Sequence, residues 1–321
     1  MATGFTSSPA QTLSKLPDIS KLSGTLIDSV GKVDGVLKES IASIAGITFP
    51  QGSFLLDDYP GSAVAYSVRK LSSTYSGSAL RVRRTVSPFD EQDIGFDSNG
   101  DLDTAAIATF GGSDPLTVSA WYDQSGQSKH ATQATAASQP TIYDGAAVIT
   151  ENGKPTLKFD GLDKLDTNYS PQLGTASTAD FYAASVATQS AATTGHIWRA
   201  TGGAVIFGRF ESSRQPRIFA RDSNGQTAVA TGTAVTLNTQ ILQGGLLSNG
   251  SISNYINGSI DGTGSATYTG NFNLTANIFI GSAGSIEYLT GNVQEFVFYP
   301  SDETSNRSGI ETNINNYFGI Y

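Results

Sequence analysis

Chemistry in this chain must come from carboxylates, hydroxyls and two imidazoles. Cysteine is absent, which excludes disulfides, thiolate nucleophiles and Cys-ligated zinc. The two histidines are His130 and His196. Neither has a cluster of further ligands around it in the sequence, so both are expected to be hydrogen-bonded structural side chains. In the loop DSNGDLD, Asp97, Asn99, Asp101 and Asp103 put oxygen atoms at alternate positions, as calcium loops do. Gly100 is misplaced for an EF-hand and no bidentate Glu follows, so a solvated Asn-Gly turn is the preferred reading, with calcium the alternative. No other cofactor is expected. There is no Gly-x-Ser-x-Gly elbow and no phosphate-binding loop.

The stretch from Trp121 to Gln133, WYDQSGQSKHATQ, concentrates polar chemistry at the end of an alternating segment. Trp121 reads as core. Asp123 is placed to tie down the Asp-Gln-Ser-Gly turn by accepting backbone amides. Charge narrows the partners. A net charge of −9 argues against nucleic acid, whose binders need basic stripes. Arg81, Arg83 and Arg84 form a basic cluster, and in the alternating LRVRR they are expected on the solvated face of a strand.

The elements that must hold these residues are mainly strands. Charged residues are only 15% of the 321-residue chain and glycine reaches 35, a composition suited to many tight turns. Strands are predicted at 80–84, 117–122, 155–160, 180–187, 203–208, 216–221, 252–256, 277–281 and 292–299. Asn257-Gly258 predicts a type I′ hairpin. In 292–299, Val293, Val297 and Tyr299 share one face and Phe296 and Phe298 the other, as in a strand in the middle of a sandwich. A short C-terminal helix is predicted, capped by Ser301 or Asp302, with Ile310, Ile314 and Tyr317 on one face. With no helices between the strands, the expected fold class is an all-β antiparallel sandwich. No window approaches a transmembrane span.

Residues 1–50 differ in character from 51–321, and two domains are drawn there. Residues 1–17 form a polar arm. An eleven-residue repeat follows, in which Gly24, Gly35 and Gly46 correspond. Its apolar positions, Ile19, Leu22, Leu26, Val30, Val33, Leu37, Ile41 and Ile44, recur at spacings of three and four, and would lie on one face of a helix. Gly24, Gly31 and Gly35 each cost about 1 kcal/mol in a helix, so short strands or turns with a glycine at each corner are the competing reading. Either way the stripe is expected to anchor the chain to a partner or to copies of itself. The N-terminus lacks the basic start and apolar run of a signal peptide.

Two family resemblances run through 51–321. Across 55–321 the chain is similar to the catalytic domain of the arabinofuranosidase B family. The match is carried by AYSVRKLSSTYSG (Ala65 to Gly77), Val82 and Arg84, YDQSG with His130-x-Thr-Gln, Gly195-His196 and Tyr299-Pro-Ser-Asp-x-Thr. The segment 246–300 resembles a laminin-G or concanavalin-like jelly roll through Tyr255 to Gly258, Thr269 to Phe272 and Gly291 to Tyr299. The resemblance implies a jelly-roll sandwich and retaining hydrolysis of α-L-arabinofuranosides. That chemistry needs a nucleophile and an acid/base whose carboxyl groups lie about 5–5.5 Å apart. On the family's motifs, Ser223 stands at the nucleophile's position and Ala283 at the acid/base's. Arg221 replaces a preceding Asp, and Asp222 is displaced by one residue onto the opposite strand face. The resemblance therefore implies a non-enzyme, with Trp198, Arg221, Asp222 and Asn224 as candidate sugar contacts.

Domains of this kind without cysteine or the catalytic pair look like modules carried by bacteriophage virion proteins. The expected function is a non-catalytic virion protein, a capsid-associated spike, decoration or tail-associated component. It would be anchored to other virion proteins through residues 1–50, oligomeric, and bind a host-surface glycan. The alternatives are a glycoside hydrolase acting on arabinofuranoside-type polysaccharide, a structural decoration protein without ligand, and an exported bacterial adhesin.

Overall fold

The computed structural model describes residues 54–321 apart from 176 and 177, and before them only residues 32–33, 36–37, 43–44 and 47–48. The chain divides into two units, Met1–Gln51 and Gly52–Tyr321. In the first unit the described residues form two minimal antiparallel pairs. Lys32–Val33 pairs with Val36–Leu37, and Ser43–Ile44 pairs with Ile47–Thr48. The second pair repeats the first eleven residues later. Each brackets two residues that include a repeat glycine, Gly35 or Gly46. This corrects the helical reading of the repeat: its described part is short strands, as β-branched residues and glycine favour. Of the expected anchoring residues, Ile19, Leu22, Leu26, Val30 and Ile41 lie outside the described residues, while Val33, Leu37 and Ile44 fall in these strands.

The second unit is an all-β antiparallel sandwich whose strands link into one nearly closed ladder. On one side Val64–Ser67 pairs with Thr290–Tyr299, which pairs with Phe181–Gln189, then Gln240–Ser248 and Ser251–Ile256. On the other, Thr227–Thr231 pairs with Pro216–Arg221, then Ala204–Phe210, Gly195–Gly202, Phe279–Ile280 and Leu165–Asp166. Leu116–Trp121 and Leu80–Arg84 continue that side.

The strand Thr290–Tyr299 sits in the middle, as its two apolar faces require. Phe296 and Phe298 face Trp198, with ring centroids 5.7 and 6.1 Å away, and Tyr299 packs on Tyr182. Trp198, Phe181, Phe296 and Phe298 are fully buried, each such side chain contributing about 1.5–3 kcal/mol or more. Gly208 makes room for the indole: a Cβ there would lie 2.5 Å from Trp198 Nε1. At the hairpin tip Asn257 and Gly258 both have positive φ, 51° and 80°, the type I′ geometry that the Asn-Gly pair supplies.

Three α-helices, Leu55–Asp58, Thr104–Gly111 and Arg307–Phe318, and a 3₁₀ turn, Ala136–Ser138, accompany the strands among the described residues. The last α-helix buries Ile310, Ile314 and Phe318, with Tyr317 half-buried. Its N-cap is Asn306 rather than Ser301 or Asp302, because Asp302 Oδ1 is already accepting the Thr304 N–H in a preceding turn. In LRVRR, Arg81 is exposed and pairs with Asp93. Arg84 departs from the solvated face: it lies against Phe110 and binds Asp114.

Candidate functional site

The block WYDQSGQSKHATQ is held by two buried side chains. Asp123 Oδ1 accepts the N–H groups of Ala65 and Ser125, both at 2.9 Å, and its Oδ2 accepts Lys129 N–H at 3.0 Å. Gln124 Oε1 accepts Leu71 N–H at 2.8 Å while its Nε2 donates to Arg69 O at 2.9 Å. The turn is thus fastened to the segment that starts AYSVRKL, which fits the expected role of Asp123.

This fastening presents the far limb of the block to a polar cleft of about 320 Å³ lined by Ser128, His130, Thr132, Asp166, Asn168 and Asn277. His130 Nδ1 accepts the Asp123 N–H at 3.2 Å, so the neutral ring carries its proton on Nε2. Its ring stands edge-on to Tyr122 at 4.9 Å. Asp166 comes from a two-residue strand wedged between Thr132 and Phe279. Its Oδ1 accepts Asn168 N–H at 2.9 Å and Asn277 Nδ2–H at 2.7 Å. The cleft therefore sets hydroxyls, two amides, an imidazole and one carboxylate side by side. Such a set can donate to and accept from several hydroxyls of one sugar ring. Asp166, Asn168 and Asn277 were not singled out from the sequence. The Asp-x-Asn of 166–168 is a turn signature, and Asn277 joins it only through the ladder.

The other candidate sugar contacts are dispersed. Trp198 is part of the core, so the expectation that it stacks on a sugar is corrected: its burial among Phe181, Phe296 and Phe298 leaves no face for a ligand. Asp222 is 1% exposed. It accepts four backbone N–H groups, from Asn224 and Gln226 on Oδ1 and from Thr269 and Gly270 on Oδ2. Burial alone would raise its pKa, but these bonds outweigh it and hold the carboxyl below its usual range. It is a clamp between two turns, and has no free oxygen for a sugar. Ser223 and Asn224 line a shallow groove of about 550 Å³ with Tyr268 and Asn271. Arg221 is exposed on a strand end.

Ser223 and Ala283 are not brought together. Arg221 is opposite Val205, which is opposite Thr201, so Ser223 lies past the Gly202 end of that ladder. Gly281 N–H bonds Ile197 O, and the hairpin carrying Ala283 lies at the Gly195 end. Thr201 and Ile197 are four residues apart, roughly 13 Å along a strand. Side chains at the two positions could not act as a facing pair.

At least one oxygen of each carboxylate in the acidic loop is bonded within the protein. Asp97 Oδ1 accepts Asn99 and Asp101 N–H, Asp103 Oδ1 caps the helix at Ala106 N–H, and Asp101 Oδ1 accepts the Tyr317 hydroxyl at 2.5 Å. Among the described residues no three acidic or histidine side chains converge as a metal ion would need. His196 differs from its expected hydrogen-bonded state. It is fully buried, and neither ring nitrogen has a hydrogen-bond partner among the described residues. Burial, with Arg199 and Arg209 beside it, pushes its pKa down to about 3.

With this geometry in place, the comparisons agree on architecture. The family profile described as alpha-L-arabinofuranosidase B, catalytic, matches residues 56–200, which include the whole of WYDQSGQSKHATQ. No curated protein matches the chain. A solved GH54 α-L-arabinofuranosidase soaked with a cyclic sulfate inhibitor is 16% identical, with a TM-score of 0.52 over 79% of this chain and 62% of that one. An arabinofuranosidase complexed with arabinofuranosyl-alpha-1,2-xylobiose is 15% identical, with a TM-score of 0.54 over 81% of this chain and 64% of that one. The chain thus spans less than two thirds of these enzymes' length. In fold, and in the motifs of its first half, it resembles the arabinofuranosidase B catalytic domain.

Proposed function

We propose that the sandwich is a glycoside-hydrolase-type domain, of concanavalin-like jelly-roll class, that engages arabinofuranoside-type polysaccharide through the cleft at His130 and Asp166. The observation that carries this is that the block matching the arabinofuranosidase profile folds so that Ser128, His130 and Thr132 meet Asp166, Asn168 and Asn277. Recognition of a sugar ring is what these groups explain directly. Hydrolysis by the retaining route needs a second carboxyl about 5–5.5 Å away, and Asp166 is the one carboxylate lining the cleft.

A second reading follows from that single carboxylate and from the short strand pairs of the repeat. The domain binds the glycan without cleaving it and serves as an attachment module of a bacteriophage virion, oligomeric and held by residues 1–50. One experiment separates the two readings: the full chain incubated with branched arabinan, reading arabinose release and retention in affinity electrophoresis. Release that Asp166→Asn abolishes supports the hydrolase. Retention without release, weakened about tenfold by His130→Ala, supports the attachment module. Neither release nor retention overturns the proposal.

A further inference from the structure

The outward face of four adjacent strands carries a lattice that the cleft does not use. In ladder register, Arg199, Phe207, Phe219 and Val229 form one row across the sheet. On one side lies the row His196, Arg209, Arg217 and Thr231, and on the other Thr201, Val205, Arg221 and Thr227. Strand alternation puts all of these opposite Ile206, Ile218 and Ala220, which are fully buried in the core. At the centre Phe207 and Phe219 stack at 4.6 Å with their planes 4° apart. Arg199 and Arg209 lie over Phe207, 5.9 and 4.8 Å from its centroid.

Four arginines here meet two glutamates, in a chain whose net charge is −9. Glu211 is committed to Arg209 and Arg217, at 2.8 and 2.9 Å. Glu287, on the hairpin beyond the sheet edge, is shared by Arg209 at 3.2 Å, Arg199 at 3.8 Å and His196 Nδ1 at 3.4 Å. One half-exposed carboxylate therefore already sits between Arg199 and Arg209, beside the neutral His196 ring, which shows the kind of group the cluster receives. Arg221 is exposed and, among the described residues, has no acidic side chain within ion-pair distance. Its strand neighbour Asp222 is turned away into four backbone N–H groups. Two strands across and one row along, Arg199 Nε is buried without a hydrogen-bond partner among the described residues.

We propose that this face binds a carboxylate-bearing polysaccharide, a uronate-type chain, with Arg199 and Arg221 taking carboxylates and the Phe219 ring forming an apolar step beneath a sugar. Guanidinium forks match carboxylates in geometry and charge. Single-stranded nucleic acid fits less well. It needs open rings on which bases stack, and Phe207 is roofed by two guanidiniums and only 5% exposed. The row continues from Arg199 through Phe279 to Asp166, but none of the arginines lines the cleft, and the inference stands without the reading of that cleft.

The test uses the full chain in affinity electrophoresis against polygalacturonate, neutral arabinan and oligo-deoxythymidine, at low and raised salt. Polygalacturonate retards the protein, retardation falls with salt, and Arg221→Ala weakens it about tenfold. Arg221→Lys restores part of it. Arg221→Ala leaves the melting temperature and any arabinan retention unchanged, since Arg221 is exposed. Three results overturn the proposal: no salt-sensitive retardation by polygalacturonate, retardation lost in His130→Ala but not in Arg221→Ala, or tighter binding of the oligonucleotide through the same arginines.

Discussion

Asp123 Oδ1 receives the backbone N–H of Ala65, 58 residues earlier, at 2.9 Å. The same carboxylate also holds Ser125 and Lys129, so one buried side chain sets both the turn and its seat on a neighbouring strand. Replacing it by alanine leaves several buried N–H groups without acceptors. Asp123→Ala is expected to cost about 3 kcal/mol or more, and Asp123→Asn less. Urea denaturation of the two variants checks the order. Equal stability of Asp123→Ala and the parent would remove Asp123 from this role.

A second prediction concerns the buried ion pair of Arg69 and Glu295, which are 7% and 0% exposed. Arg69 Nε and Nη2 donate to the two Glu295 oxygens at 2.8 and 3.0 Å, and Ser67 Oγ donates to the same carboxylate at 2.6 Å. Glu295→Gln leaves a buried guanidinium without its countercharge, at a cost of about 3–5 kcal/mol. The double variant Arg69→Met, Glu295→Leu is expected to lose less than Glu295→Gln alone. Denaturation midpoints of the two, compared with the parent, decide it.

The third prediction is one of pH. Burial pushes the Asp163 carboxyl up to about 7, with the negative charge of Asp160 adding to it against an opposing Asp160 N–H bond. A carboxyl raised in the folded state favours folding while it is protonated in both states. That contribution is complete below its ordinary value of 3.8 and is lost as pH rises through 7. Asp163→Asn should therefore stabilise the protein at pH 8, by on the order of 2–4 kcal/mol, and make little difference at pH 3.5. His196 runs the other way. Held down to about 3, it supports folding above its ordinary 6.5 and loses that support as pH falls through 3. Melting temperatures of parent and variant from pH 3.5 to 8 isolate the Asp163 part as a difference. A flat difference would refute it.

Local pattern carried much of the sandwich. The strand Pro216–Arg221 has the limits its alternation predicts, and the Asn257-Gly258 hairpin has the geometry its residue types demand. The helix Thr104–Gly111 was not legible because it buries little apolar surface of its own, with Ile107 its one fully buried large side chain. Its capping residue Asp103 also looked like a loop oxygen. The repeat satisfied a helical spacing and a turn spacing at once, and its described residues, mostly β-branched, form short strands. The site was the least legible part. Asp166 and Asn277 are 111 residues apart and meet only through ladder register, and the same register separates Ser223 from Ala283.

The pairing of Val64–Ser67 with Thr290–Tyr299 also orders events during synthesis. Glu295 stands opposite Ser67 and Phe298 opposite Val64, so the first strand of the sandwich waits on the ribosome for nearly the last. Until then Ala65, Tyr66 and the seat for Asp123 present an unpaired apolar edge, the kind of surface that aggregates or recruits chaperones. Contacts this distant in sequence slow folding. A chain truncated before Thr290 would emerge with that edge permanently open, and its yield would depend on how well the cell shields it.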